Sequence, residues 1–159
     1  MRSVPADDID LDLITTFGRL LEAGAVLQRD LGRELTAACD IQQTWLEVML
    51  RISRSPDGRT PMSSLAGQLT LTTGGITRLL DRMVAAGYVE RVPCPTDRRI
   101  TYAALTPAGQ EKLREASVVH TRQLREVFHG FEAEDLDQLD AMLDRLRQRA
   151  GPCRASEAR

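Results

Sequence analysis

The sequence predicts a mainly helical chain with one small β-hairpin placed directly behind a helix-turn-helix. Three observations carry that reading. Apolar residues recur at helical spacing over most of the chain. Two short helical segments stand only three residues apart, and the second has a polar, basic outer face. Behind them come two runs of alternating residues around a proline-containing loop. At 159 residues, 42% hydrophobic and 28% charged, the composition is that of a globular domain able to bury a core.

The first helix covers residues 9–38, where Leu13, Phe17, Leu20, Leu21, Leu27, Leu31 and Leu35 repeat in steps of three, four and seven. At ~1.5 Å per residue it is about 40 Å long, more than a small domain needs for its own core. Such a helix often packs against a partner chain. A second helix follows Asp40, with Ile41, Trp45, Val48, Met49 and Ile52 on one face, and stops at the turn sequence Ser55-Pro56-Asp57-Gly58. Thr60-Pro61 is read as an N-cap followed by proline at the first helical position of a third, short helix. Thr72 or Thr73 caps the next one, which turns Ile76, Leu79, Leu80, Met83 and Val84 inward and stops at Gly87. Its other face holds Thr73, Gly74, Thr77, Arg78, Asp81 and Arg82.

Residues 88–92 and 100–105 then alternate with period two around Pro93-Cys94-Pro95-Thr96-Asp97-Arg98-Arg99, so they form a hairpin, the wing of a winged helix-turn-helix. Thr106-Pro107 starts another long helix, broken at Gly130. A last helix over about 132–149 carries acids early and arginines late, as the helix dipole favours. The expected organisation is one domain over residues 1–150. Its winged helix-turn-helix spans about 41–105, packing helices span about 9–38 and 107–149, and a loose polar tail covers 151–159.

Charge divides along the chain. Residues 1–50 carry four Arg against nine acids, residues 51–99 eight Arg against four acids, and residues 100–159 nine basic groups against ten acids. The net charge of −2 thus hides a basic middle, suited either to a nucleic-acid-contacting module or to an ordinary charged surface. Twenty of the 21 basic residues are Arg, which suits bidentate contact with phosphate and guanine but also follows from base composition. No apolar stretch is long enough for a membrane span, and the acidic residues 1–12 lack a signal pattern, so a cytoplasmic protein is expected. Cys39, Cys94 and Cys153 form neither a disulfide framework nor a zinc pattern. No nucleophile–base pair, phosphate loop or metal motif suggests an enzyme, and no cofactor or metal is expected.

Thr77-Arg78-Leu79-Leu80-Asp81-Arg82-Met83, Gly87-Tyr88-Val89-Glu90-Arg91, Asp97-Arg98-Arg99 and Leu105-Thr106-Pro107-Ala108-Gly109 together resemble the multiple-antibiotic-resistance regulator (MarR) family of winged-helix regulators. The helix pattern extends the likeness over about residues 10–148. The resemblance implies a homodimer joined by the first and the last two helices, hence dimerisation helices on both flanks. It also implies a recognition helix over about 72–86 in the major groove of double-stranded DNA. The loop at 93–99 is implied to reach the minor groove or backbone.

The implied function is a sequence-specific transcriptional regulator, as repressor of a pseudo-palindromic operator, released by a small phenolic or anionic effector. The DNA-contacting residues are Thr72, Thr73, Gly74, Gly75, Thr77, Arg78 and Arg82 on the helix, and Thr96, Asp97, Arg98 and Arg99 on the wing.

Each residue has a plainer alternative. Arg78 either contacts phosphate or guanine or pairs with Asp81. Thr72 or Thr73 serves DNA or the cap. Gly74 and Gly75 depart from the family's usual hydroxyl residues; they permit close backbone approach to phosphate or mean fewer base contacts. One of Arg98 and Arg99 enters the minor groove while Asp97 holds the other in a salt bridge. Cys94, between two prolines, is a candidate redox-responsive thiol, although peroxide-sensing relatives carry theirs near the start of the first helix. His120 and His129 are off metal-pair spacing and belong to the surface or a dimer interface. Trp45 is a core residue or lines an effector pocket. The rival function is a winged helix that docks onto a protein partner.

Overall fold

The computed structural model describes residues 10–69, 73–97 and 99–149. Two compact units divide the chain, Met1–Gln123 and Leu124–Arg159. The first holds the winged helix. It opens with α1 (Leu11–Cys39), capped by the Asp10 carboxylate, which accepts the Leu13 N–H at 2.8 Å. Asp40 ends α1 in the left-handed region (φ 55°), its N–H donating to the Thr36 carbonyl at 2.9 Å. There follow α2 (Gln43–Ser53), β1 (Arg59–Pro61), α3 (Met62–Gln68), α4 (Thr73–Ala85), β2 (Val89–Pro93), β3 (Thr101–Leu105) and α5 (Pro107–Val127). The protein is mostly helical, as expected.

The sheet adds one element to the expected hairpin. It has three antiparallel strands in the order β1-β3-β2, with Thr60 opposite Ala103 and Arg91 also opposite Ala103 on the other side. Thr60 is therefore a buried strand residue, and Pro61 is the N-cap position of α3 rather than its first helical residue. Three residues are too few to show a period-two pattern. Pro61 is compatible with an edge strand, where its missing N–H leaves no ladder bond unmade. Pairing with β3, which lies 43 residues on, decides the conformation.

One core serves this unit. Leu35 and Cys39 of α1, Leu46, Val48, Met49 and Ile52 of α2, Leu65 of α3 and Ile76, Leu79, Leu80 and Met83 of α4 are buried together with Val89, Ala103 and Ala116. Val84 and Trp45 are half-buried against it. The apolar stripe of α1 is divided. Its C-terminal members Leu31 and Leu35 are buried, whereas Leu13 (65% exposed), Phe17 (58%), Leu20 and Leu21 face outward.

The second unit holds the last turn of α5 and α6 (Ala133–Arg149). Gly130, with φ 87°, breaks the chain between them, and His129 lies beyond the end of α5 instead of on the same helix as His120. Phe128 and Phe131 meet edge-on at 5.7 Å across the break. The Asp135 carboxylate accepts the Glu132 N–H at 3.0 Å, fixing the start of α6. Met142, Leu143 and Leu146 of α6 are exposed. Among the described residues no helix is long and apolar enough to cross a membrane. The tail at 151–159 lies outside them.

Candidate nucleic-acid interface

Helix α4 turns one face into the core and the other to solvent. Ile76, Leu79, Leu80 and Met83 recur at steps of three, one and three and sit in the core, which leaves Gly74, Thr77, Arg78, Asp81 and Arg82 exposed. Gly75 is half-buried, and Thr73 opens the helix. Thr72 lies outside the described residues. The structure separates Arg78 from Asp81: the Asp81 carboxylate pairs with Arg91 of β2. Among the described residues neither Arg78 nor Arg82 makes an ion pair. A methyl group added at Gly74 would meet nothing within 4 Å among the described residues, so none of them requires a glycine there.

Helix α4 ends in a closed C-cap. The Gly87 N–H donates to the Val84 carbonyl at 2.9 Å and the Tyr88 N–H to the Met83 carbonyl at 3.0 Å, with Gly87 at φ 77°. This is the double bond pattern that a left-handed residue after a helix permits. The chain leaves it directly into β2, and the hairpin register runs from Val89 opposite Leu105 to Pro93 opposite Thr101.

At the wing tip, the Cys94 N–H donates to the Ile100 carbonyl at 3.0 Å and the Ile100 N–H to the Asp97 carbonyl at 3.0 Å. The Asp97 carboxylate accepts the backbone N–H of Arg99 at 2.9 Å. Asp97 therefore orders the loop through the main chain of Arg99; it forms no salt bridge with the Arg99 guanidinium. Arg98 lies outside the described residues. Thr96, Asp97 and Arg99 are all exposed, and among the described residues Arg99 has no ion-pair partner.

Cys94 Sγ lies 3.3 Å from the Thr96 hydroxyl. That bond first, then the backbone N–H groups of Thr96 and Asp97, bring the thiol down from 9.0 to about 7. Cys39 is the opposite case: it is buried, and burial pushes its thiol up, with Glu115 adding to the effect.

The wing and α4 are clamped to α5 at one joint that sequence reading did not single out. The Thr106 N–H donates to the Tyr88 carbonyl at 3.1 Å, the Thr106 hydroxyl to the Gly87 carbonyl at 2.6 Å, and the Gly109 N–H to the Thr106 hydroxyl at 3.0 Å. Lys112 reaches the Cys39 carbonyl at 3.2 Å and lies 5.9 Å from the Tyr88 ring centre. Trp45 meets the same ring edge-on at 6.1 Å, and its indole N–H is buried with no hydrogen-bond partner. The block Leu105-Thr106-Pro107-Ala108-Gly109 contains the signal: a hydroxyl residue that caps α5 and a glycine at its third position. Its long-range partner was not legible.

No group of His, Cys, Asp or Glu among the described residues could hold a metal. His120 is half-buried with Nδ1 unpartnered, and His129 is exposed. The interface offers outward guanidinium groups, hydroxyls and a backbone free of side chain at Gly74.

Residues 41–101 match the model of the MarR family, which is the winged helix described above. The helix-turn-helix transcriptional regulator YhbI of Bacillus subtilis is 28% identical over 110 residues, covering 69% of this chain and 71% of that protein. YkoM of the same organism is 29% identical over 86 residues; the match spans 54% of this chain and 56% of YkoM, little more than half of that relative. Among solved structures, AbsC, a MarR family transcriptional regulator from Streptomyces coelicolor, is 25% identical with a TM-score of 0.77, covering 94% of this chain and 97% of its own. A mutant MarR from E. coli, complexed with operator DNA, is 27% identical with a TM-score of 0.73, covering 87% of this chain and 99% of its own. The winged-helix region, residues 41–101, thus matches the MarR family model, and the chain shares the fold of MarR family transcriptional regulators.

Proposed function

We propose that this protein is a homodimeric, sequence-specific DNA-binding transcriptional regulator, a repressor that binds a pseudo-palindromic operator. One observation carries the reading. Helix α4 buries Ile76, Leu79, Leu80 and Met83 and presents Thr77, Arg78 and Arg82 outward, beside a wing whose tip presents Arg99. A helix so disposed fits a major groove, where Arg reads guanine O6 and N7. An Arg on an adjoining hairpin suits phosphate or a narrow minor groove. The DNA complex of the E. coli MarR mutant supports the same use of the fold. The assigned residues are Thr72, Thr73, Gly74, Gly75, Thr77, Arg78 and Arg82 on the helix and Thr96, Asp97, Arg98 and Arg99 on the wing. Asp97 acts by shaping the loop that presents Arg99.

The dimer reading is supported by the outward apolar row Leu13, Ile14, Phe17, Leu20 and Leu21 on α1, a face that water contacts in a single chain. A two-fold dimer pairs that row with its own copy and sets two recognition helices about one DNA turn apart. Release by a small phenolic or anionic effector and action in the cytoplasm belong to the same reading.

The test is fluorescence anisotropy against the intergenic DNA flanking the protein's own gene, with scrambled DNA beside it, at two salt concentrations. The expected result is a preference of about 10³-fold or more, falling steeply with salt as condensed counterions are released. Equal, weak and salt-insensitive binding to both DNAs would favour a winged helix that docks on a protein instead.

A further inference from the structure

We propose that Asp81 and Arg91 are positioning residues. Their ion pair fixes the angle between the recognition helix and the wing, and thereby sets sequence preference without either residue touching a base. The inference rests on the DNA-binding reading above.

The geometry is that of a hinge with a brace. Helix α4 and strand β2 are joined covalently at one end only, through the C-cap at Gly87. Thr106 holds that joint at Gly87 and Tyr88 and β3 holds β2 in the sheet, so the freedom left is a tilt of the outer hairpin against the exposed face of α4. Asp81 lies six residues before Gly87, about 9 Å back along the helix at 1.5 Å per residue. Arg91 lies four residues after it, in mid-strand. The bond from Arg91 Nη2 to Asp81 Oδ1 closes the triangle. A guanidinium is the suitable group, because its planar fork holds a carboxylate in one orientation where an ammonium would swivel.

Charge gives the pair a second part in the same task. Asp81 shares the exposed face of α4 with Arg78, one turn earlier, and adjoins Arg82. A carboxylate there would draw those arginines onto itself and repel phosphate. Arg91 engages it from the strand, and Arg78 and Arg82 make no ion pair among the described residues. Both partners are well exposed, 52% for the Asp81 side chain and 42% for Arg91, so the pair adds little to stability. Its place between two DNA-contacting elements, where small angular errors separate the contacts, is what gives it effect.

The experiment uses the full chain and an operator selected from random duplex DNA. Affinities for that operator and for scrambled DNA are measured for wild type, Asp81→Asn, Arg91→Ala and the charge-reversed double variant Asp81→Arg with Arg91→Asp. Urea midpoints are recorded in parallel. Charge alone predicts opposite signs: Asp81→Asn removes a repulsion and binds all DNA more tightly, while Arg91→Ala binds all DNA more weakly. Positioning predicts that both single variants lose about tenfold in the ratio of operator to scrambled affinity, and that the double variant recovers most of it. Midpoints stay near wild type. An unchanged ratio in both single variants overturns the proposal even when absolute affinities move. Failure of the wild type to select any operator overturns the DNA-binding reading itself, and the proposal with it.

Discussion

Gly109 approaches the carbonyl of Tyr88 so closely that a Cβ at position 109 would lie 1.9 Å from the oxygen and 2.8 Å from the carbon. The obstacle is backbone, held by Thr106 and by the C-cap of α4, so no rotamer change relieves it. Alanine ordinarily stabilises a helix relative to glycine. Here Gly109→Ala has the opposite sign, costing about 2–3 kcal/mol as α5 is forced off the Gly87–Tyr88 joint. Urea denaturation measures it, and a midpoint at or above wild type would show that α5 can withdraw freely.

Gly74 is the contrasting case, with no described residue within 4 Å of where its side chain would be. Gly74→Ala is expected to stabilise the fold by about 0.5 kcal/mol through helix propensity and a less flexible unfolded chain. If the bare backbone serves approach to phosphate, the same variant weakens operator binding. More stable but weaker-binding protein is the expected pair of results. A gain or no change in affinity would reduce Gly74 to a helix-weakening substitution without a DNA role.

Much of this architecture was legible because its signals are local. Spacing alone identifies the buried face of α4, and Ser55-Pro56-Asp57-Gly58 and Gly87 mark stops that the structure places at positive-φ glycines, Gly58 and Gly87. What stayed hidden depends on partners distant in the chain. Thr60-Pro61 fits a helix start as well as it fits an edge strand, and only β3 decides between them. Arg78 has Asp81 one turn away at pairing distance by spacing, yet Asp81 takes Arg91, which the hairpin brings round from ten residues on. Asp97-Arg98-Arg99 reads as an ion pair with either arginine; with Arg99 the aspartate instead closes a turn on the main-chain N–H, and Arg98 lies outside the described residues.

The wing makes a salt-dependence prediction. Arg99 is exposed at the loop tip with its backbone pinned by Asp97. Arg99→Ala should weaken binding to operator and scrambled DNA alike, and lower the slope of log affinity against log salt by about two per dimer if both copies contact phosphate. An unchanged slope would take Arg99 out of the interface.

The outward row on α1 is tested by charge. Phe17→Glu with Leu21→Glu alters residues that make no part of the chain's own core, so helicity and folding should survive. Placing carboxylates in a self-associating apolar face should raise the dimer dissociation constant by about 100-fold or more, some 2.7 kcal/mol. Sedimentation velocity reads the mass. A variant that remains dimeric would move the interface away from this face.

Cys94 supplies a pH dependence whose sign follows from its surroundings. The Thr96 hydroxyl, then the N–H groups of Thr96 and Asp97, favour the thiolate and set its pKa at about 7. Below that value the wing carries a neutral thiol; above it, a negative charge stands five residues from Arg99 on the face proposed to meet phosphate. Operator affinity should therefore fall as pH rises from 6 to 8, and Cys94→Ser should flatten the profile. Site-resolved alkylation gives an independent reading of the same group: labelling of Cys94 by iodoacetamide should reach half its maximal rate near pH 7, while buried Cys39, its thiol pushed up by burial, stays unlabelled in the folded protein. Thr96→Val removes the largest contribution and should move the Cys94 labelling midpoint to higher pH. An identical affinity profile in wild type and Cys94→Ser would separate the thiol from DNA binding, and a labelling midpoint near 9 would show that the loop does not stabilise its charge.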